Sequence, residues 1–544
     1  MKLDNAAIAE RLEAFASLLE LAGSGPYTSR AYRRAAELIR STPAPIADLV
    51  RQGRARELRG IGPGIERRLR ELVETGEIAE LQELEREVSP ELAGLARFFG
   101  VSVRRMLEIG RVLGANTLAE LREAAEAGRL QEVPGIGPDT ERKLRAALAR
   151  EPTRSAPQPL LLTTSRPLVE SIAEALGGEA AGDPRRWADA STHLAVVCAA
   201  RRPGPVLDRF GSLPQIVAIV EREGRRALGV TVEGVPVELV VAEPERFGTE
   251  LVRATGSPDY VAGLEPLPDA PTEEAAYEAL GIPWAPPELR EAPFRGEPPR
   301  LLEVADVRGD LHCHTTRSDG RASALEMGLA ARELGYDYLA ICDHTVSVGA
   351  VTGLTADDVR EQAEEIAAAN EELAPFRLLR GIECDIRRDG SLDLPDELLA
   401  ELDWVQASVH AGQRASREEL TQRVLTALES PYISALSHPT GRLIGRRPPN
   451  AVDLDAVFTR LAETGRAVEV NGLAPRLDLS GENVRRAREA GVPVVVNTDA
   501  HSVRGMGNMA LAVHTARRGW AEPGDIVNTL GLEELLARRF GSPV

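Results

Sequence analysis

Six of the chain's eight histidines fall in its C-terminal part, each at or just beyond the end of a short apolar run. They are His312, His314, His344, His410, His438 and His501, and the carboxylates Asp319, Glu383 and Asp499 share those positions. Imidazole and carboxylate are hard-to-borderline donors suited to zinc, manganese or iron. Gathered without cations, such groups would repel one another or lie undersolvated. A lone histidine near a loop is ordinarily a structural residue, but six of eight in equivalent places form a ligand pattern.

The elements that must position them alternate regularly. Apolar runs at Val307–His312, Tyr336–Cys342, Arg377–Glu383, Trp404–Val409, Tyr432–Ser437, Arg466–Asn471 and Pro493–Asn497 predict seven strands. Helical patterns such as Ala322–Leu334, Ala356–Glu372 and Arg417–Leu428 lie between them. Seven strand–helix units predict a (β/α) barrel, in which strand C-termini converge on one mouth. Closely spaced cations there would acidify a bridging water and neutralise phosphate oxygens, so hydrolysis of a phosphomono- or phosphodiester is the natural reaction. Glu383, Asp499 and His410 are the candidate catalytic residues. Arg442 and Arg446 are candidate phosphate clamps, with a solvated loop as the plain alternative. Cys313, Cys342 and Cys384 neighbour ligands, but adjacent strand residues face opposite ways, so they read as core residues.

The first 150 residues read as helices. They hold 24 basic and 23 acidic side chains, so the net charge of −19 arises from the remainder. An acidic chain does not advertise nucleic-acid binding, and any DNA contact must rest on local geometry. Two glycine-rich turns supply it: Gly60, Gly62 and Gly64 in Gly60-Ile-Gly-Pro-Gly64, and Gly135 and Gly137 in Pro134-Gly-Ile-Gly-Pro138. Each precedes a basic helix, where exposed backbone N–H groups can hold a phosphate without reading sequence. The pattern resembles the helix-hairpin-helix motif, and two copies favour DNA over a purely structural turn. Residues 151–159 read as a linker, and 160–260 mix β-type runs with helices. The expected domains are 1–90, 91–150, 151–299 and 300–544.

The motifs Asp310-Leu-His-Cys-His314, Ser318-Asp-Gly320, Asp343-His344, Gly381-Ile-Glu383, Ser408-Val-His410, Ser437-His-Pro439 and Asn497-Thr-Asp-Ala-His501 resemble the polymerase and histidinol phosphatase (PHP) domain. The resemblance implies a distorted (β/α)7 barrel with three divalent ions, manganese or zinc, with iron or magnesium as alternatives. It implies one ion on His312, His314, Glu383 and Asp499, a second on Glu383, His410 and His438, and a third on Asp319, His344 and His501. With the hairpins, the whole chain resembles bacterial family X DNA polymerases that carry a C-terminal PHP domain. That implies an all-α helix-hairpin-helix front and an α/β nucleotidyltransferase-like palm. The family has a further hairpin between these two, and Phe98–Arg105 stands there without its glycines.

The palm departs from the family's pattern. His193 and Ala195 stand where its paired aspartates belong, and Glu238 matches the third carboxylate. One carboxylate does not hold two magnesium ions beside a triphosphate. Lyase chemistry through a Schiff base needs an amine, and Lys2 and Lys143, the only lysines, are not beside the first hairpin. The expected function is therefore 3′–5′ exonucleolytic or other 3′-end processing of gapped or nicked DNA in repair, with a silent polymerase. A working gap-filling polymerase, a DNA-binding scaffold with a structural metal cluster, and a small-molecule phosphatase of histidinol-phosphatase type are the alternatives. The N-terminus shows no signal-peptide pattern and the four cysteines have no paired spacing, so a cytoplasmic protein without membrane contact is expected.

Overall fold

A computed structural model describes residues 5–21, 26–42, 45–58, 60–87, 89–149, 159–349 and 351–538. The linker expected at 151–159 lies outside them except for Pro159. The chain forms two compact units. One comprises Met1–Gln158, Ile172–Gly178 and Thr192–Ala242, the other Pro159–Ser171, Glu179–Ser191 and Glu243–Val544. The stretch expected to be a single domain at 151–299 is thus divided, and residues 243–299 cluster with the barrel.

In the first unit, helices Asn5–Leu21 and Pro26–Ser41 bury Ile8, Leu12, Phe15 and Ile39 against Leu69 and Leu72 of helix Pro63–Thr75. The two glycine-rich turns have the same construction. Ile61 N donates to Leu58 O and Glu66 N to Gly62 O; Ile136 N donates to Val133 O and Glu141 N to Gly137 O. Gly60 at φ +110° and Gly135 at φ +77° occupy the region that glycine tolerates best. Between them, helices Pro90–Phe98 and Val103–Leu113 are joined by a short turn capped by Ser102. Four strands follow in spatial order Leu194–Ala199, Pro236–Ala242, Arg226–Val230 and Ala218–Glu223, the first pair parallel.

The second unit holds the barrel. Its strands are β1 Gly309–Cys313, β2 Tyr338–Ile341, β3 Arg377–Asp385, β4 Trp404–Ser408, β5 Ala435–Leu436, β6 Ala467–Asn471 and β7 Val494–Asn497. They pair in parallel in sequence order, and a Cys313–Ala500 bridge joins the last strand's end to the first. All seven expected strands are present, trimmed or extended by a few residues at their ends. Reciprocal capping boxes at Ser323/Glu326, Thr355/Asp358 and Ser416/Glu419 start three of the outer helices, Ala324–Glu333, Ala356–Leu373 and Arg417–Ala427. These caps fix where each loop from the barrel mouth ends. Among the described residues no helix is long and apolar enough to cross a membrane.

Candidate functional site

All nine expected ligands meet at the C-terminal mouth of the barrel. Three groups have ligand atoms within 4.8 Å of one another: His312, His314 and Asp499; His314, Asp319, His344 and His501; and His344, Glu383 and His410. Glu383 is central. Its Oε1 lies 2.9 Å from His438 Nε2 and 3.4 Å from His410 Nε2, and its Oε2 lies 2.8 Å from His344 Nδ1 and 3.5 Å from His312 Nε2. The grouping is less partitioned than the family resemblance implies. His314 faces both Asp499 and the Asp319 group, and His344 reaches Glu383 as well as Asp319. His438 and Asp499 adopt positive φ, at 23° and 52°, a strained backbone that aims both side chains into the cluster.

The donor set fits divalent cations. Glu383 Oε2 and the Nδ1 atoms of His314, His344 and His438 are buried and make no aligned hydrogen bond, the 2.8 Å approach of His344 Nδ1 to Glu383 Oε2 included. Such orphaned donors are costly unless another group satisfies them. Electrostatics agree. Burial pulls the His501 imidazole down, but Asp319 and Asp499 outweigh it and hold it up at about 9. His314, pressed by burial and by the charge on His344, falls to about 4. Burial opposes the ionised form of Glu383, yet the imidazoles of His410, His344 and His312 keep its carboxyl well below the usual range.

Further buried carboxylates, none of them among the expected site residues, hold the ligand rings and the loops that carry them. Glu469 is fully buried and accepts from His312 Nδ1 at 2.7 Å, Ser437 Oγ at 2.8 Å, and His438 N and Asn497 Nδ2 at 2.9 Å. Asp385 accepts from His410 N at 3.1 Å and lies 3.3 Å from His410 Nδ1. Asp343 accepts from Thr315 N at 2.7 Å and from Gln362 Nε2 at 2.5 Å. A carboxylate on one ring nitrogen fixes the tautomer and leaves the other nitrogen's lone pair for a metal. The signal for Glu469 is its acid in the otherwise apolar run Ala467-Val-Glu-Val, facing the barrel interior with Asn471.

Arg442, expected as a phosphate clamp, is engaged within the chain. Its guanidinium is consumed by Asp189 Oδ2 at 2.6 Å and the carbonyls of Arg476 and Leu477. Arg446 sits exposed on the same loop. The cation that stands beside the centre is Arg476, with Nε 3.8 Å from Asp499 Oδ2. The cysteines are buried, and burial pushes Cys384 up to about 12 and Cys198 up to about 11, which removes them as nucleophiles.

In the palm-like sheet, Ala195 stands in register opposite Glu238, and His193 Nε2 lies 3.4 Å from Glu238 Oε2. The three positions aligned with the polymerase carboxylates therefore meet in space. Arg226 Nη1 lies 3.1 Å from Glu238 Oε1, placing a fixed cation on the one carboxylate there. At the hairpins, a Cβ at Gly62 or Gly137 would meet nothing within 4 Å, and one at Gly64 only Tyr32 Oη at 4.0 Å. Those backbones are open to an approaching group.

A helix-hairpin-helix domain model matches residues 3–78, and a SAM-like helix-hairpin-helix tandem model matches residues 95–150. The chain is 32% identical to the DNA polymerase/3′-5′ exonuclease PolX of Bacillus subtilis, over 97% of both chains. Its C-terminal part is similar to a probable phosphatase of Acetivibrio thermocellus, at 29% identity over 35% of this chain and 78% of the relative. A probable phosphatase of a Thermoanaerobacter species is 25% identical over 40% of this chain and 89% of its own length.

Proposed function

The chain belongs to the PolX family, the family X DNA polymerases with a C-terminal PHP domain, and from that premise we propose a metal-dependent phosphoesterase that processes DNA 3′ ends while its polymerase site is silent. The observation that carries this reading is the contrast between two sites. Eight other ligand residues gather with Glu383 at the barrel mouth, whereas the palm-like sheet offers Glu238 with Arg226 already against it.

His312, His314, Glu383 and Asp499 would hold one ion, Glu383, His410 and His438 a second, and Asp319, His344 and His501 a third. Manganese and zinc suit these donors best. Bound divalent cations supply charge neutralisation for phosphate oxygens and acidify water. The chain's own residues do the rest. Glu383 spans the His312/His344 and His410/His438 sides and sets their spacing. Glu469 and Asp385 lock the rings of His312 and His410. The turns at Gly60–Gly64 and Gly135–Gly137 would grip DNA through backbone N–H groups, independently of sequence. This hold weakens steeply with salt.

A gap-filling polymerase is the second reading, favoured by the name of the Bacillus subtilis relative, which aligns over 97% of both chains. The test separates the two. Gapped DNA labelled at either end is incubated with manganese, with and without nucleotides, comparing wild type with His312→Ala. Shortening of the 3′ end by wild type alone, with no extension, is expected. Extension that Glu238→Gln abolishes and His312→Ala does not would overturn the proposal.

A further inference from the structure

We propose that Arg414, Arg447 and Arg476 form a second phosphate subsite, which holds the nucleotide phosphate next to the one being cleaved and selects polynucleotides over simple phosphate esters. The inference rests on the phosphoesterase reading and names the substrate feature that the same mouth recognises. The three arginines sit on the loops that follow β4, β5 and β6, neighbouring strands of the barrel. These loops are tied together: Ile444 N donates to Pro475 O at 2.7 Å, and Gly441 packs against Gln413, whose amide donates to Val409 O.

The arginines mark a line from the buried centre to solvent. Asp499 is 3% exposed, the Arg476 side chain 19%, and Arg447 and Arg414 are open. Arg476 Nε and Nη1 are buried with no hydrogen-bond partner, Asp499 Oδ2 standing off at 3.8 Å, so the guanidinium has donors left for a further anion. Arg447 donates Nε–H to Gly441 O at 2.9 Å, a neutral acceptor that aims the guanidinium. Partial burial, then the like charges of Arg476 and Arg414, hold Arg447 below the ordinary arginine range, against the opposing pull of Asp478. Arg447 thus feels two like charges from neighbouring loops, a repulsion that an anion bound at this rim would relieve. Arg442, by contrast, is spent on Asp189 and contributes nothing to the rim. A substrate with one phosphate ester fills the metal mouth alone, whereas a polynucleotide reaches both places.

The test uses the full chain loaded with manganese and the variants Arg447→Gln and Arg414→Gln. Its readout is the ratio of kcat/KM on end-labelled oligothymidylate to kcat/KM on bis(p-nitrophenyl) phosphate. The ratio should fall roughly ten- to hundredfold, mainly through KM for the oligonucleotide, as charge-assisted hydrogen bonds are lost. Arg360→Gln, on an exposed helix, should leave the ratio within about twofold. Calorimetry gives a second readout. Arg447→Gln should weaken thymidine 3′,5′-bisphosphate at least about fivefold more than thymidine 5′-monophosphate. An unchanged ratio, or equal losses on both substrates, would overturn the subsite alone. A wild type that cleaves neither substrate would sink the phosphoesterase reading, and the bisphosphate titration would then decide whether an anion site exists.

Discussion

Replacing Glu469 by glutamine isolates the layer behind the metal ligands. The change preserves shape and removes one charge. Glu469 accepts from His312 Nδ1 at 2.7 Å, and its other oxygen accepts from Ser437 Oγ and His438 N at 2.8 and 2.9 Å. An amide has one carbonyl oxygen, so either orientation sets an NH2 group against an N–H or O–H donor. A hydrogen bond to a charged acceptor in a dry interior contributes about 1.5–3 kcal/mol. The carboxylate also fixes the His312 tautomer in which Nε2 carries the lone pair. Glu469→Gln should therefore lower manganese or zinc affinity roughly ten- to hundredfold, the usual cost of losing such a partner. The metal-free fold should also lose stability, because burial opposes the Glu469 charge but His312 and His438 outweigh it and hold the carboxyl below its ordinary range. Equilibrium dialysis against buffered free metal, with elemental analysis of the protein, reads the affinity. A Glu469→Gln protein that binds metal within twofold of wild type would refute this account of how His312 is held.

Metal stoichiometry should drop in His312→Ala and Asp319→Ala and stay unchanged in Glu238→Gln; loss of metal from the Glu238 variant alone would show that the palm-like sheet binds cations. Gly60→Ala should lower the first melting transition of the full chain, because it forces φ +110° on a Cβ-bearing residue. Gly64→Ala should leave that transition equal or higher, since its Cβ meets only Tyr32 Oη at 4.0 Å and alanine favours helix by about 1 kcal/mol. Both should weaken DNA in a low-salt gel-shift assay, and full retention of affinity by Gly64→Ala would remove that position from the DNA surface. Glu273 is buried and pinned by Arg290 at 2.5 Å and Arg185 at 2.7 Å, whose pull outweighs burial and lowers its carboxyl from 4.5 to about 2. A depressed carboxyl stabilises the fold above its unfolded pKa, so about 3 kcal/mol should be present above pH 4.5 and fade as pH falls toward 2. Trp284, beneath the Arg290 guanidinium, should report this in an acid titration, and Glu273→Gln should flatten it. An unaltered acid transition in that variant would count against the assignment.

The parts of this protein legible in the sequence are those set by period and spacing. Seven apolar runs, six of them ending at or just before a candidate ligand, predict a barrel mouth, because strand C-termini have one place to converge. The helices expected from 322, 356 and 417 start within two residues of those positions, at capping boxes formed by purely local chemistry. What escaped depends on contacts that no local pattern encodes. Arg442 lies on the correct loop, yet its direction is set by Asp189, 253 positions away. Arg476 is the reverse case, an unremarked loop residue that the fold carries to Asp499. The grouping of residues 243–299 with the barrel rests partly on ion pairs such as Glu288 with Arg517 at 2.7 Å, which a domain boundary drawn from composition does not register.

The same rule of charge compensation explains why two potential metal sites in one chain differ. A buried carboxylate must be satisfied, and a cation bound from solution or a cationic side chain can each do so. In the palm-like sheet, Ala195 and His193 adjoin Glu238, and Arg226 supplies a permanent positive charge at 3.1 Å. A magnesium ion would have to displace that guanidinium and would gain a single carboxylate in return. At the barrel mouth the balance is opposite. No lysine or arginine ion pair to Glu383 occurs among the described residues, its neighbours are imidazoles, and several of their nitrogens are orphaned. Imidazoles can neutralise the carboxylates' charge only by taking up protons, which abolishes the lone pairs that make them ligands. Divalent cations satisfy the acids and the neutral rings together, so the barrel is the place where this chain gains most from binding metal.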